Sequence, residues 1–255
     1  MAGGRGSRLS AITDSIPKPL VEVDNRPILF HIMNIFSQQG IKDFVILTGY
    51  KGELIADFFS RYNQRYNNFE IDMKSGQLSY LSDNYLGWKV QVIETGVSTM
   101  TGGRLLRAQE YLSGEESFFF TYGDGLANID LASVLSVNRQ TNTVATVTAV
   151  LPPSRFGKIN YENYMVKEFS EKPIDYGERI NGGFFVLRPT IFEYLQGDTC
   201  VFEENPLKDL VKDSQLSVHL HNGYWNCLDT LRDLEQIQKD SLKIPTPWLH
   251  FGKSI

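Results

Sequence analysis

Residues 1–20 read MAGGRGSRLSAITDSIPKPL, and the rest of the chain is organised around them. Gly3, Gly4 and Gly6 fall within four consecutive positions, interleaved with Arg5 and followed by Arg8. Lys18 sits between Pro17 and Pro19. Glycines let backbone N–H groups converge on an anion, because no Cβ blocks the approach. Arginine adds a planar fork that matches phosphate oxygens. A triphosphate is the natural guest of such a loop. The spacing is neither a P-loop, which needs Gly-Lys-Ser/Thr, nor a G-x-G-x-x-G.

Outward from the loop, strands and helices alternate. Leu20 to Val23 reads as a strand, Asp24-Asn25 as a turn, and Pro27 to about Gln39 as a helix that stops at Gly40. Ile28, Ile32 and Ile35 give that helix an apolar face. Strands are expected at Phe44 to Leu47, Phe69 to Met73, Lys89 to Ile93, Ser117 to Tyr122 and Val144 to Val150. Helices are expected at Glu53 to Tyr62, with Leu54, Phe58 and Phe59 inward, at Thr101 to Tyr111 and at Leu131 to Asn138. This alternation predicts an α/β fold, a Rossmann-like, mostly parallel sheet with helices on both faces. Lys74 to Trp88, polar and aromatic, is the expected insertion, its aromatics serving the core or a subunit contact of a homo-oligomer.

From Leu151 the pattern changes. Gly157 to Tyr161, Met165 to Glu171 and Gly183 to Leu187 read as strands, the first two antiparallel. Helices at Pro189 to Leu195 and Glu204 to Lys212, strands at Leu216 to Leu220 and Trp225 to Leu228, and a final helix Leu231 to Ser241 complete the reading. The expectation is one domain over 1–255, with a nucleotide-binding half (1–150), a β-rich half (151–241) and a tail (242–255).

The totals exclude several classes. Hydrophobic residues make up 42% and charged residues 22% of 255, ordinary for a globular protein. A net charge of −5 argues against a broad nucleic-acid surface. Cys200 and Cys227 are the two cysteines, which suits a reducing cytoplasm rather than a disulfide framework. No apolar run is long enough to span a membrane. His219 and His221 share a strand face, but no neighbouring cysteine or carboxylate spacing turns them into a metal site.

Asp124 ends the apolar run FFFTYGDG, and ligands of open α/β sheets bind beyond the carboxyl ends of strands. A turn aspartate capping the next helix is an equally good reading. Asp229, between a strand and a helix, reads on its own as a helix N-cap. Glu171-Lys172-Pro173 is weak as a bare tripeptide, since a Glu-Lys pair is usually solvated.

In order along the chain, Gly3-Gly4-x-Gly6-x-Arg8-Leu9, Pro17-Lys18-Pro19, Asp124, Glu171-Lys172-Pro173, Asn181-Gly182-Gly183 and Asp229 resemble the signature of the sugar-1-phosphate nucleotidylyltransferases. The resemblance implies a GT-A-like fold with a β-rich sugar-binding half. It implies a nucleotide site of Ala2, Gly3, Gly4, Arg5, Gly6, Ser7, Thr99, Gly103, Arg104 and Gly123. It implies Mg²⁺ held by Asp124 and Asp229. Arg8 would face the leaving pyrophosphate, Lys18 the α-phosphate and Lys172 the attacking phosphate. Gly157, Glu171 and Asn181 would meet the sugar. The 100–105 stretch MTGGRL, with Tyr122-Gly123-Asp124-Gly125, is most similar to the branch that joins CTP to glucose 1-phosphate, which serves deoxysugar and surface-polysaccharide synthesis. Arg104 is donor-only and can serve both O2 and N3 of cytosine, whereas uracil and thymine carry N3–H. Rival readings are the same reaction with UTP or dTTP, and a non-catalytic nucleotide-binding homologue. In this family a hydrophobic strand precedes the glycine loop, and Met1 stands where that strand ends. The resemblance therefore implies that most of a central parallel strand is absent, and that sheet and loop are weaker for it.

Overall fold

The computed structural model describes residues 1–81, 85–112, 114–153, 158–170 and 178–249. Behind the glycine loop lie a short helix, α1 (Ser10–Thr13), and a hairpin of β1 (Glu22–Val23) and β2 (Arg26–Pro27). Its two-residue turn places both Asp24 and Asn25 at positive φ, 48° and 58°. Asp and Asn tolerate that conformation better than most residues, which explains the pair.

Helix α2 (Ile28–Ser37) starts one residue later than predicted, because Pro27 stays extended as its N-cap. Its apolar surface is wider than the predicted stripe. Ile28, Ile32 and Ile35 enter one buried cluster with Val23, Phe184 and Trp248. Leu29 and Met33 enter another with Ala2, Ile46 and Ile55. The tail tryptophan, Trp248, is therefore core, packed edge-on against His31 at 5.6 Å. The next elements are β3 (Asp43–Thr48), α3 (Gly52–Ser60) and α4 (Tyr62–Tyr66). On α3 the buried positions are Ile55 and Phe58, while Leu54 and Phe59 are only half-buried. The strand predicted at Phe69 to Met73 is β4 (Phe69–Ile71), and within the predicted insertion, Lys74 to Trp88, β5 (Leu78–Tyr80) pairs with it as a small antiparallel hairpin. Trp88, at its end, packs on Phe30 and Phe44 and donates to Ser37 Oγ at 2.7 Å.

Strand β6 (Lys89–Glu94) pairs in parallel with β3. Helices α5 (Thr101–Leu106) and α6 (Gln109–Leu112) lead to β7 (Phe118–Thr121), and a further strand, β8 (Gly125–Ala127), follows at once. Helix α7 (Leu131–Thr141) is capped by Asp130, which accepts from Ala132 N and Ser133 N at 3.0 and 3.2 Å. After it come β9 (Ala145–Val150), the hairpin β10 (Lys158–Glu162) and β11 (Met165–Ser170), and β12 (Ile180–Leu187). A 3₁₀ turn (Pro189–Tyr194), α8 (Asn205–Lys212), β13 (Leu216–His221), β14 (Trp225–Cys227) and α9 (Leu231–Ser241) end the regular structure.

The sheet order β13-β9-β12-β7 has β13 parallel to β9 and β12 antiparallel to both of its neighbours. This is the expected α/β fold, with one antiparallel strand inserted among parallel ones. A buried cluster of Phe120, Phe185, Phe202 and Ile191 covers one side of it. Ala2 forms a parallel bridge to Thr48 beside β3. His221 Nε2 bonds Tyr224 O at 3.1 Å, and among the described residues no group of three or more His, Cys, Asp or Glu is placed to hold a metal.

Candidate active site

Strands β8 and β14 are short, yet they make the site. Their antiparallel register sets Gly125 opposite Cys227. Asp124 and Asp229, just outside that pair and 105 residues apart in sequence, are thereby brought side by side, and Leu228 N donates to Asp124 O at 2.9 Å. Neither aspartate caps a helix. Asp130 caps α7, and Thr230 caps α9 in a capping box with Asp233. Both carboxylates are thus left to face a common cleft.

Lys18 fills the space between them. It starts a 3₁₀ turn held between Pro17 and Pro19, and its side chain is only 13% exposed. Its Nζ donates to Asp124 Oδ2 at 2.7 Å and to Asp229 Oδ1 at 3.2 Å. Arg8, exposed, donates to Asp229 Oδ2. Burial opposes the Lys18 charge, but Asp124 outweighs it and the ammonium is held above its ordinary range. Burial likewise opposes the Asp229 charge, and Arg8 with Lys18 outweighs it, so the carboxyl lies below its ordinary range. The Cys227 thiol is pushed up by burial and by Asp124 beside it.

A cavity of about 460 Å³ opens next to this cluster. Of the residues expected at the nucleotide, Ala2, Gly3, Gly4, Arg5, Gly6, Thr99, Arg104 and Gly123 line it, together with Lys18 and Asp124. Gly4 has nothing within 4 Å of where a Cβ would sit, so its backbone is open to the cavity. Gly6 is left-handed, with φ 63°, and turns the chain into the following 3₁₀ helix (Ser7–Leu9). Ser7 lies exposed at the start of that helix, outside the cavity lining.

Two expectations need correction. Arg104 is not an open pair of donors for a base. It is 4% exposed, and Nη1 donates to Thr48 O and Thr95 Oγ1, both at 2.7 Å. Nη2 donates to Gly3 O at 3.1 Å and Val97 O at 3.4 Å. A Cβ on Gly3 or Gly49 would sit 2.3 or 2.1 Å from Nη1, so both glycines make room for the guanidinium. Burial draws the Arg104 pKa below its ordinary value despite nearby Glu94. Gly103 is likewise engaged away from the cavity. Its N–H donates to Cys200 O at 3.2 Å, and its Cα faces the Asp198 backbone, 2.7 Å from a Cβ position. The reason in both cases is that buried carbonyls must be satisfied before donors are left for a ligand.

Asn181 is exposed at the bulge of β12, with Oδ1 accepting from Gly183 N at 2.8 Å. Gly183 has φ 79°, and its Cα faces the Tyr122 ring. Gly157, Glu171 and Lys172 lie outside the described residues. Sequence reading passed over Glu203, whose carboxylate accepts from both Tyr122 Oη and Thr101 Oγ1, the latter at 2.6 Å. It fastens the start of α5 to the end of β7. Burial and the Glu203 charge push the Tyr122 phenol up.

The Nucleotidyl transferase family matches residues 1–244. The chain belongs to that family. It is 44% identical to the probable glucose-1-phosphate cytidylyltransferase of Bacillus subtilis over 240 residues, 94% of this chain and 93% of the relative. It is 40% identical to the glucose-1-phosphate cytidylyltransferase of Salmonella typhi over 248 residues, 97% and 96% of the two chains. Among solved structures, HddC from Yersinia pseudotuberculosis superposes with a TM-score of 0.67 at 22% identity, covering 93% of this chain and 96% of that one. A putative glucose-1-phosphate thymidylyltransferase from Bacillus anthracis gives 0.66 at 20%, covering 99% and 95%. At those identities the likeness is one of fold, and it places the nucleotidyltransferase on a known scaffold. No described helix is long and apolar enough to cross a membrane.

Proposed function

We propose that this nucleotidyltransferase transfers CMP from CTP to glucose 1-phosphate, releasing pyrophosphate and giving CDP-glucose. The observation that carries the reading is identity of 40–44% over nearly the whole length to relatives named for that activity. The base assignment rests on those relatives, since Arg104 has its donors turned to the protein.

The carboxylates fit a divalent cation. Asp124 and Asp229 each present one oxygen to the same Lys18 ammonium, so they already converge on a single cation. Two carboxylates are what Mg²⁺ usually takes from a protein that also offers it phosphate oxygens. A metal held there supplies charge neutralisation at the phosphates. The rest is the work of the chain's own residues. The cavity receives the nucleotide, with the open backbone at Gly4 and the Arg5 guanidinium beside the phosphates. Lys18 and Arg8, released from the aspartates, turn to phosphate oxygens, Lys18 to the α-phosphate and Arg8 to the leaving pyrophosphate. Asn181 meets a sugar hydroxyl, and Lys172, Glu171 and Gly157 are assigned to the sugar phosphate from the sequence. A phosphate oxygen of glucose 1-phosphate attacks the α-phosphorus as the bond to the β-phosphate oxygen breaks. Positioning and charge neutralisation account for the rate without a covalent enzyme intermediate.

Two variants test the metal pair. Asp124→Asn and Asp229→Asn each lower turnover at least about 100-fold, as for loss of one preorganised electrostatic group, while the circular dichroism spectrum stays native. Wild-type turnover in excess chelator, or full activity of either variant, contradicts the assignment.

A further inference from the structure

Glu203 belongs to none of the sequence motifs, yet its carboxylate joins elements that lie far apart in the chain. It accepts from Thr101 Oγ1 at 2.6 Å and from the Tyr122 hydroxyl. Thr101 and Tyr122 both line the cavity of about 460 Å³. Thr101 Oγ1 in turn accepts from Phe202 N at 2.9 Å, so the residue beside Glu203 is tied to the same threonine. On the other side of the phenol, the Asn181 side chain of β12 hydrogen-bonds the Tyr122 hydroxyl. Asn181 Oδ1 also accepts from Gly183 N at 2.8 Å. The Tyr122 ring has little freedom. It packs edge-on against Phe120 and Phe185, with ring centres 5.5 and 6.3 Å away. It also lies over Gly183, where a Cβ would come within 2.9 Å of Cδ2. Trp225 Nε1 donates to Gly182 O at 2.8 Å and holds the turn between Asn181 and Gly183. A fixed ring thus carries one hydroxyl between Glu203 and Asn181.

We propose that Glu203 is a positioning residue for the sugar, holding Asn181 in one of its two amide orientations through the Tyr122 hydroxyl. The inference rests on the assignment of Asn181 to a sugar hydroxyl made above. A phenol has one proton to donate, and a carboxylate only accepts. Glu203 takes that proton. The phenol stays protonated, because burial and the Glu203 charge both oppose its ionisation. The Tyr122 oxygen can then only accept from Asn181, which requires the amide nitrogen to point at it. Gly183 N–H requires the other end of the same amide, the carbonyl oxygen. A flipped amide would set its NH₂ against the Gly183 N–H, donor on donor, and its carbonyl against the lone pairs of Tyr122. The held orientation leaves Asn181 one amide proton and one carbonyl lone pair beyond these two bonds. One donor beside one acceptor matches two neighbouring hydroxyls of a pyranose, the first accepting and the second donating. Without Glu203 the Tyr122 proton turns toward Asn181 and favours the flipped amide. Only the Gly183 bond then opposes the flip, and the pattern offered to the sugar is no longer single.

The test is steady-state kinetics of the full chain, with glucose 1-phosphate and CTP varied in turn. The variants are Glu203→Ala, Tyr122→Phe, Asn181→Ala and the double variant Glu203→Ala/Tyr122→Phe. Tyr122→Phe keeps the ring over Gly183 and removes only the hydroxyl, so it tests the same link where loss of Glu203 loosens α5. Each single variant raises the KM for glucose 1-phosphate about tenfold, the scale of one lost hydrogen bond, and moves the KM for CTP less than about threefold. The double variant is no worse than Tyr122→Phe alone, since Glu203 acts on the sugar through that hydroxyl. Deoxy analogues of glucose 1-phosphate give a readout that a general structural defect would not move. The analogue that costs the wild type about tenfold, for one lost hydrogen bond, costs the variants nothing further. The side-chain amide signals of Asn181 in nuclear magnetic resonance spectra, recorded without substrate, shift in both Glu203→Ala and Tyr122→Phe. An unchanged KM for glucose 1-phosphate in Glu203→Ala, equal rises for both substrates, or additive losses in the double variant overturn the proposal. A folded wild type that makes no CDP-glucose overturns the substrate reading instead. The Asn181 signals then decide whether Glu203 holds the amide, and unshifted signals in both variants overturn that as well.

Discussion

Replacing Arg104 tests the site where a buried guanidinium holds the glycine loop to Thr48. Arg104→Ala removes donors from Thr48 O, Thr95 Oγ1 and Gly3 O, three buried or half-buried acceptors. A hydrogen bond to a charged group is worth about 1.5–3 kcal/mol net. The three share one guanidinium, and its burial is itself costly, so the sum is not additive. The expected loss is about 3–5 kcal/mol, near the upper end for single substitutions. At roughly 2–4 °C per kcal/mol, the melting temperature falls by about 6–20 °C. Gly3 O belongs to the glycine loop that we propose holds the phosphates, so that loop loses its anchor whichever nucleotide is offered. kcat/KM therefore falls for CTP and UTP by the same factor within about threefold, a difference of about 0.6 kcal/mol. Arg104→Lys does not rescue, because one ammonium cannot span Thr48 O and Gly3 O as a fork does. Gly49→Ala reproduces the defect, since its Cβ would sit 2.1 Å from Nη1. The assays are thermal unfolding and pyrophosphate release with each nucleotide. An unchanged melting temperature with a loss confined to CTP would refute the reasoning and return Arg104 to the base.

Another expectation concerns stability. Thr230→Ala opens the capping box of α9 and costs about 0.5–2 kcal/mol, measured by urea unfolding, with Thr230→Ser nearly neutral; equal losses for Ala and Ser would rule out the hydroxyl cap.

Much of this arrangement was legible in the sequence where local signals were strong. The last helix has its predicted bounds, Leu231–Ser241, although its N-cap is Thr230, in a capping box with Asp233, and not Asp229 as the residue types suggest. Strand β8 escaped because Gly125–Ala127 is three residues long, too short to carry a period. That omission mattered, because the β8–β14 register is what joins Asp124 to Asp229. From residue types alone both aspartates read as well or better as helix caps, and only the family resemblance paired them. Arg104 shows the opposite error. Its donors matched a base on paper, but Thr48 O and Gly3 O, distant in sequence, compete for them. Glu203 gave no signal, since Thr101 and Tyr122 reach it across 102 and 81 residues.

The central claim is the reaction itself, and product analysis tests it most directly. The purified chain is incubated with Mg²⁺, glucose 1-phosphate and, in separate reactions, CTP, UTP, dTTP or GTP, and nucleotide sugar and pyrophosphate are quantified by chromatography. The account predicts CDP-glucose and pyrophosphate in equal amounts, CTP used in clear preference to the other three, and loss of both products with Asp124→Asn. A nucleotide sugar formed preferentially from another nucleotide, or no product from CTP by a folded chain, would contradict it.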